Sequence, residues 1–410
     1  MEATVGGGEI SYKDAGVNYT GGLDQFKKAA SRAAWETETT LAKGRFGFEP
    51  LKRSRGGSVF LSRQILGADE RHRLGLHSWS VSGHLVETLG TKSLVADAMY
   101  KLTGDPKYYR NLPQDAVAMI VNDAATGGVV PQTINMLLEV GSSNWFKDIP
   151  PSQAIIKGWR DACIDVRCVW GGGETSVLKG LLYPDVFSLS GSATGISLHD
   201  DPESFSDGSL IQEGDAIVFV MGNGIHANGL SLARAIATRP MHGWKEDIRY
   251  IFGMEVRKVL PDGYLTKMND GRTFGEALLD PTPLYSTLVE DCLLADCELH
   301  YAVNITGHGL RKLMRPNYPF AYMVDRLPPK LPIFESMQKW GPISDKEAYE
   351  TFNMGPGYAL YVPPHEAERV ITIAKAGGFE AYQAGNIYTC GEKRVSLPNG
   401  IEWGPHDLSI

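Results

Sequence analysis

The chain has 410 residues, 43% of them apolar and 10% aromatic, which is more than one hydrophobic core usually accommodates and favours two domains. Its formal charge of −8 excludes a general polyanion binder, because nonspecific nucleic-acid affinity needs a basic face that displaces counterions. No basic leader and apolar run open it, and no stretch approaches the roughly 20 apolar residues that cross a bilayer, so a cytoplasmic protein with neither nucleic-acid nor membrane partners is expected.

Residues 1–25 are polar and glycine-rich around YKDAGV and read as an arm ahead of a helix from Gln25 to Leu41. Residues 42–73 carry Gly44, Gly47, Gly56 and Gly57 and too little periodicity for an assignment. Strand-like and helical runs then alternate through WSVSGHLVE, LVADAMYKL, DAVAMIVND, INMLLEVG, AIIKGWRDACI and VRCVW, as in an α/β or α+β domain. The acidic, turn-rich stretch between Ile196 and Gly214 marks a boundary, giving an N-terminal domain over 1–200 and a C-terminal α/β domain over 201–410. The second half repeats the scheme with AIVFVM, LSLARAIA, ELHYAVNIT, LRKLM, AYMV, YALYVP and the amphipathic EAERVITIAKAG, and closes in an irregular tail after Arg394. The five cysteines, Cys163, Cys168, Cys292, Cys297 and Cys390, show no metal-ligand spacing and read as reduced packing residues.

Three segments share one build, a buried-looking strand running into glycines: VRCVWGGGETS, AIVFVMGNGIHANGLSLARA and HYAVNITGHGLRKL. Glycines there let backbone N–H groups approach a ligand, and three such turns point to a phosphate-rich substrate, although each alone is an ordinary tight turn. On the helix predicted from Pro113 to Ala125, Asp115, Asn122 and Asp123 fall within about a quarter-turn, with Val117, Ile120, Val121 and Ala124 opposite. Two carboxylates and an amide on one face suit a hard divalent cation carrying nucleotide phosphates; a solvated outer face is the alternative. Glu174 follows three glycines, where a carboxylate is held near a ligand or else stabilises a helix start. Glu87 and Lys92 bracket Leu-Gly-Thr and either clamp metal and phosphate or pair with each other.

These segments resemble the aminoimidazole ribonucleotide synthetase family along nearly the whole chain. SYKDAGV, GTK at Gly90 to Lys92, DAVAMIVND and GGET match its N-terminal motifs, and IHANGLSL, DPTPLY, NITGHG and SDKEAYETFNMGPG are similar to its HSNGYSL, TPTRIY, HLTGGG and EMYRTFNMGIG. The resemblance implies a two-domain subunit, a homodimer whose N-terminal domains build a shared β-barrel, and a cleft for ATP. It implies closure of formylglycinamidine ribonucleotide to the aminoimidazole, with the amide oxygen phosphorylated and then displaced by the substrate's own amine. By position it assigns Lys13, Asp14, Glu87, Asn122, Asp123, Gly172, Gly173, Glu174 and Thr175 to ATP, and Glu87, Asp115, Asp123 and Glu174 to Mg2+, with K+ as a further candidate. Gly222, Gly224, Asn228, Thr306 and Gly307 fall to the ribonucleotide substrate, and His308, His226, Asn304 and Lys92 to catalysis.

The chain departs from the family pattern where VETLGTK (Val86 to Lys92) stands for TDGVGTK, and where Asn304 replaces a histidine and His308 a glycine. A sibling enzyme that activates another amide or phosphorylates another small molecule, and a catalytically silent nucleotide-binding subunit, are the competing expectations. Among siblings, selenophosphate synthetase fits poorly because no cysteine precedes Cys163, and the hydrogenase-maturation dehydratase because the tail reads DLSI without a terminal cysteine.

Overall fold

A computed structural model describes residues 23–37, 48–50, 62–64, 82–237, 262–340 and 343–408. Lys13 and Asp14 of the expected arm, and most of segment 42–73, lie outside the described residues. Within that segment β1 (Phe48–Pro50) and β2 (Ser62–Gln64) pair as an antiparallel ribbon. The first helix runs over Leu23–Glu36, and residues 38–41 of the expected span lie outside the described residues.

The first domain is built on β3 (Ser82–Thr88), β4 (Val129–Val140), β5 (Val169–Val177) and β6 (Phe187–Ser197), in the order β3-β6-β4-β5. The β3–β6 and β6–β4 pairs are antiparallel and β4–β5 is parallel. Residues of opposite parity along these strands enter different environments. Leu189, Gly191 and Ala193 of β6, with Ile134, Met136 and Leu138 of β4, are buried, whereas Ser188, Ser190, Ser192, Asn135, Leu137 and Glu139 stay partly open. The buried side is covered by the helices Leu112–Ala125 and Ile149–Asp165: a Cβ placed on Gly191 would come within 2.8 Å of the Trp159 ring and 2.9 Å of Ile120. The other side of the sheet has no such cover among the described residues, and Val86 on it is 75% exposed.

The glycine run Gly171 to Gly173 does not end a strand, as the sequence pattern led us to expect; it lies inside β5. The pairing with β4 shifts register between Ile134 and Asn135, and Gly173 has φ +152° with a would-be Cβ 1.7 Å from the Met136 carbonyl. Only glycine passes this irregularity, so the run serves strand pairing rather than a phosphate-binding turn.

The second domain holds seven strands: β7 (Ala216–Met221), β8 (Tyr301–Asn304), β9 (Phe320–Val324), β10 (Pro356–Val362), β11 (Ala381–Thr389), β12 (Arg394–Ser396) and β13 (Glu402–Trp403). Their order is β13-β12-β9-β11-β7-β10-β8, all neighbours antiparallel except β12 and β9. Both faces are covered, so the central strands read as unbroken apolar runs rather than alternating ones. Ala216, Val218 and Val220 of β7 pack with the helices Ser286–Leu294 and Ala367–Ala376, while Ile217 and Phe219 join the larger core on the other side. The alternation of strands and helices along the sequence therefore belongs to a mixed α/β, largely antiparallel arrangement. The stretch LRKLM, expected as an α-helix, forms the 3₁₀ turn Gly309–Met314. Four cysteines are buried and Cys390 is half-buried, all five free, as expected of packing residues.

At the end of β8 remote from the glycine turns, His300 is clamped between Asp215 (2.7 Å) and Glu298 (3.1 Å). Burial disfavours its imidazolium, but the hydrogen bonds and charges of the two carboxylates outweigh burial and raise its pKa above the ordinary 6.5. A raised histidine contributes stability that is fully present below the unfolded value and is lost as pH rises through the folded one. The stability advantage of the wild type over His300→Gln, measured by urea unfolding from pH 5.5 upward, should accordingly shrink as pH passes above about 6.5. A gap that stays constant across that range would mean that His300 is neutral throughout.

Candidate active site at the seam between the domains

The Leu112–Ala125 helix lies between the two sheets and is buried along nearly its whole length, so it has no solvated outer face. The polar face identified from its periodicity docks the second domain. Asp115, fully buried, accepts hydrogen bonds from the Thr282 backbone N–H (2.9 Å) and hydroxyl (2.5 Å), and both its oxygens lie 2.8 Å from the Lys92 ammonium. Lys92 is itself fully buried and donates to the Asp280 carbonyl at 2.7 Å. Gln114 donates to the Thr282 carbonyl (2.9 Å), and Asn122 donates to the Pro283 carbonyl (2.9 Å) while accepting from the Ser286 N–H (3.2 Å). The segment Asp280 to Ser286, which includes the DPTPLY motif, is thus read by the helix through its backbone. This corrects three expectations: Asp115 does not face a cation site, Lys92 does not face a substrate, and Asn122 does not face ATP, because each is consumed by the interdomain contact.

Asp123, one residue on, is different. It is half-buried at the edge of the seam and accepts from the Asn304 carboxamide at 2.7 Å. Glu87 projects from β3 toward the same side of the sheet as Gly191 and Met136, its partners across the strands. Its pKa is raised, first by burial and then by the negative charge of Asp123, against the Thr88 N–H and the Lys312 charge. Glu87 and Asp123 are thus two carboxylates that feel each other's charge, oxygen donors of the kind a divalent cation takes, although no group of three or more candidate ligands gathers among the described residues. The Thr88 hydroxyl, where the family pattern has glycine, lies 3.5 Å from the Leu189 carbonyl and accepts from Gly90 N–H at 3.4 Å, bracing the loop rather than blocking it.

Opposite this pair stands the turn after β8. Asn304 is buried, Thr306 and Gly307 are half-buried, and His308 is exposed at φ +104°, with its carbonyl accepting from Arg311 at 3.3 Å. Lys312, absent from the residues that the sequence singles out, is 7% exposed and donates to the Asn304 carbonyl (3.1 Å) and the Thr306 hydroxyl. The signal available was a lysine three residues after a glycine turn; nothing in the pattern said that it points inward.

The turn after β7 forms the neighbouring wall. Asn228 comes 3.6 Å from Met119 of the buried helix, and a Cβ on Gly307 would lie 3.7 Å from the Asn228 side chain, so the two turns adjoin. Gly222 donates to the Gly355 carbonyl (2.7 Å), and Asn353 donates to the Gly224 carbonyl (3.0 Å) while accepting from Gly355 N–H (2.9 Å). The TFNMG motif is therefore the brace of this glycine turn. His226 sits behind it at φ +63°, buried, with Nε2 lacking a hydrogen-bond partner and against Gly222 and Gly357. Burial, and then the Lys92 charge, press its pKa down to about 3, so it is a neutral imidazole.

Glu174 is not part of this convergence. Its cross-strand row is Thr88, Ser190, Leu137 and Glu174, whereas Glu87 shares a row with Gly191, Met136 and Gly173. Adjacent rows point to opposite faces of a sheet, so Glu174 and Glu87 project in opposite directions. Glu174 is exposed on the uncovered face and accepts from the Thr175 N–H at 2.7 Å; Gly172 and Thr175 accompany it in β5.

Residues 85–197 match the family model described as AIR synthase related protein, N-terminal domain, and residues 212–397 match the corresponding C-terminal domain. A phosphoribosylformylglycinamidine cyclo-ligase of Methanococcus maripaludis (strain DSM 14266) is 32% identical over 299 residues, which are 73% of this chain and 75% of that protein. The chain belongs to the AIR synthase related family. A cyclo-ligase of Carboxydothermus hydrogenoformans is 29% identical over 95% of this chain and 99% of that protein. The fold is shared with hydrogenase maturation protein HypE, solved in complex with ATP, with a TM-score of 0.51 over 91% of this chain and 95% of that one at 14% identity. Family membership accounts for the order of the seam motifs, and the geometry separates those that lock the domains from those that open on the cleft.

The lock predicts a specific outcome. Asp115→Asn leaves the Lys92 ammonium buried against a neutral amide, a change that costs about 3–5 kcal/mol. Denaturant unfolding should register that loss, while Mg-ATP affinity of the folded fraction, measured by calorimetry, stays close to wild type. Weakened nucleotide binding at unchanged stability would return Asp115 to the metal site.

Proposed function

We propose that this protein is an ATP-dependent cyclo-ligase that converts formylglycinamidine ribonucleotide to aminoimidazole ribonucleotide in purine biosynthesis, releasing ADP and phosphate. The observation that carries the reading is the facing of the Glu87 and Asp123 carboxylates by the turn Asn304 to His308 across the domain seam, in a chain of this family. A ligand bound there touches both domains, which is how a nucleotide and a second substrate meet in one closed volume.

Glu87 and Asp123 would hold Mg2+, which supplies charge neutralisation for the ATP phosphates when bound. The substrate's amide oxygen attacks the γ-phosphorus, the bond to ADP breaks, and the amide carbon becomes an imidoyl phosphate. The substrate's amine then closes the ring: a C–N bond forms, the C–O bond to phosphate breaks, and the amine gives up a proton. Of the two histidines assigned to catalysis, His308 is the better base, since it is exposed at the turn whereas His226 is sealed and too weakly basic to take a proton near neutral pH. Asn228, Thr306 and Gly307, with the braced backbone at Gly222 and Gly224, form the ribonucleotide side.

We place a second copy of the chain against the uncovered face of the first sheet, so that two sheets close into a shared barrel in a cytoplasmic homodimer. Val86, exposed on that face, supports this arrangement. Glu174 projects from the same face, on which Gly172 also lies, and would reach the nucleotide bound to the partner, whereas Gly173 and Thr175 belong to rows of the opposite face. The chain divides into its two domains near residue 200, between the last strand of one sheet at Ser197 and the first of the other at Ala216.

Purified protein given formylglycinamidine ribonucleotide, ATP, Mg2+ and K+ should form the aminoimidazole, read by diazo coupling, and Asp123→Ala should abolish both product and ADP release. Absence of product beside an active control enzyme would end the cyclo-ligase reading. For the dimer, inactive Asp123→Ala and Glu174→Ala proteins mixed under subunit exchange should recover roughly a quarter of wild-type turnover, because half the dimers are mixed and each then holds one intact site. If the mixture stays inactive, Glu174 does not act on the partner's site.

A further inference from the structure

We propose that Lys312 is a positioning residue that fixes the substrate-side turn and presents a positive charge to the phosphoryl group in transit; the inference rests on the cyclo-ligase reading above. The ammonium donates to the Asn304 carbonyl at 3.1 Å and to the Thr306 hydroxyl, two groups of the turn assigned to substrate and catalysis. With its hydroxyl oxygen already accepting from lysine, Thr306 is left free to donate its own proton. Asn304 is held at its carbonyl by Lys312 while its carboxamide donates to Asp123. One cation thus sets the geometry of the turn relative to the carboxylate pair.

Its electrostatic state supports the second half of the proposal. Among the described residues no carboxylate lies within ion-pair distance of Lys312, although it is 7% exposed; both of its hydrogen-bond acceptors are neutral. Asp123 and Glu87 act on it only from beyond direct contact, and Arg315 repels it. A buried ammonium that is so incompletely compensated is unfavourable for folding, and such groups persist where an anionic ligand completes the compensation. The position, next to carboxylates that suit Mg2+ and under a turn that faces them, makes a phosphoryl oxygen the anion of matching chemistry.

This predicts that Lys312 is maintained at the expense of stability, which a purely structural lysine would not be. Lys312→Met keeps most of the side chain's length and removes its charge and its two hydrogen bonds. Titration calorimetry with Mg-ATP should show Kd raised by more than about tenfold, and cyclo-ligase assays should show kcat lowered by at least as much as KM is raised. The melting temperature should be unchanged within about 2 °C or higher. A Kd within about tenfold of wild type, a lower melting temperature, or an insoluble variant overturns the proposal in favour of a structural lysine. Wild-type protein that binds Mg-ATP but makes no aminoimidazole removes the cyclo-ligase reading while the binding and melting comparisons still decide Lys312. Wild-type protein that binds no Mg-ATP removes both.

Discussion

The ion pair of Lys92 and Asp115 in the first domain, capped from the second by Asp280 and Thr282, is the contact on which the rest of the arrangement depends. Both side chains are fully buried, and from the second domain Thr282 donates twice to Asp115 Oδ1 while the Asp280 carbonyl accepts from Lys92. A sealed ion pair with every strong donor matched tolerates little rotation of one domain against the other, since any sliding exposes a charge to an apolar interior. That rigidity fixes where the helix ends, and so where Asp123 stands relative to Asn304. The position of Asp123 at the edge of the seam is in this sense a consequence of the lock: eight residues along one helix, slightly more than two turns, separate it from the carboxylate that ties the domains together.

Much of the fold could be read from the sequence because it rests on local rules. The buried helix with its proline start, the strands leading into the glycine turns, and the packing cysteines all follow from periodicity and turn chemistry. The site was legible as a set of motifs but not as a set of directions. The spacing of apolar residues tells which helix face is polar without telling whether water, a metal or another domain meets that face, and here the partner segment of Asp115 and Asn122 lies more than 150 residues away. For Glu174 the missing information was strand register: one residue decides which face of a sheet a side chain takes, and the bulge at Gly171 is a tertiary event. Lys312 escaped for the opposite reason, since an isolated lysine beside Arg311 looks like surface until the 3₁₀ turn rolls it inward.

The departures from the family pattern cease to look independent once placed in the seam. A histidine at the position of Asn304 would change charge over the working pH range beside Asp123, whereas a carboxamide offers the same donor at every pH. Glu87 reaches farther from β3 than the aspartate of the family motif, and its carboxylate meets a neighbourhood in which Lys312 already supplies positive charge. The glycine that has become Thr88 gives its hydroxyl to the loop backbone, replacing flexibility with a brace. A longer acid, a neutral donor and a buried ammonium together redistribute charge across the cleft without removing any element that handling a phosphate requires. A decayed, catalytically silent subunit would have no reason to keep an uncompensated cation buried under its substrate turn, because drift toward stability would neutralise it first. The buried ammonium is therefore an argument for an active enzyme whose electrostatics are differently arranged.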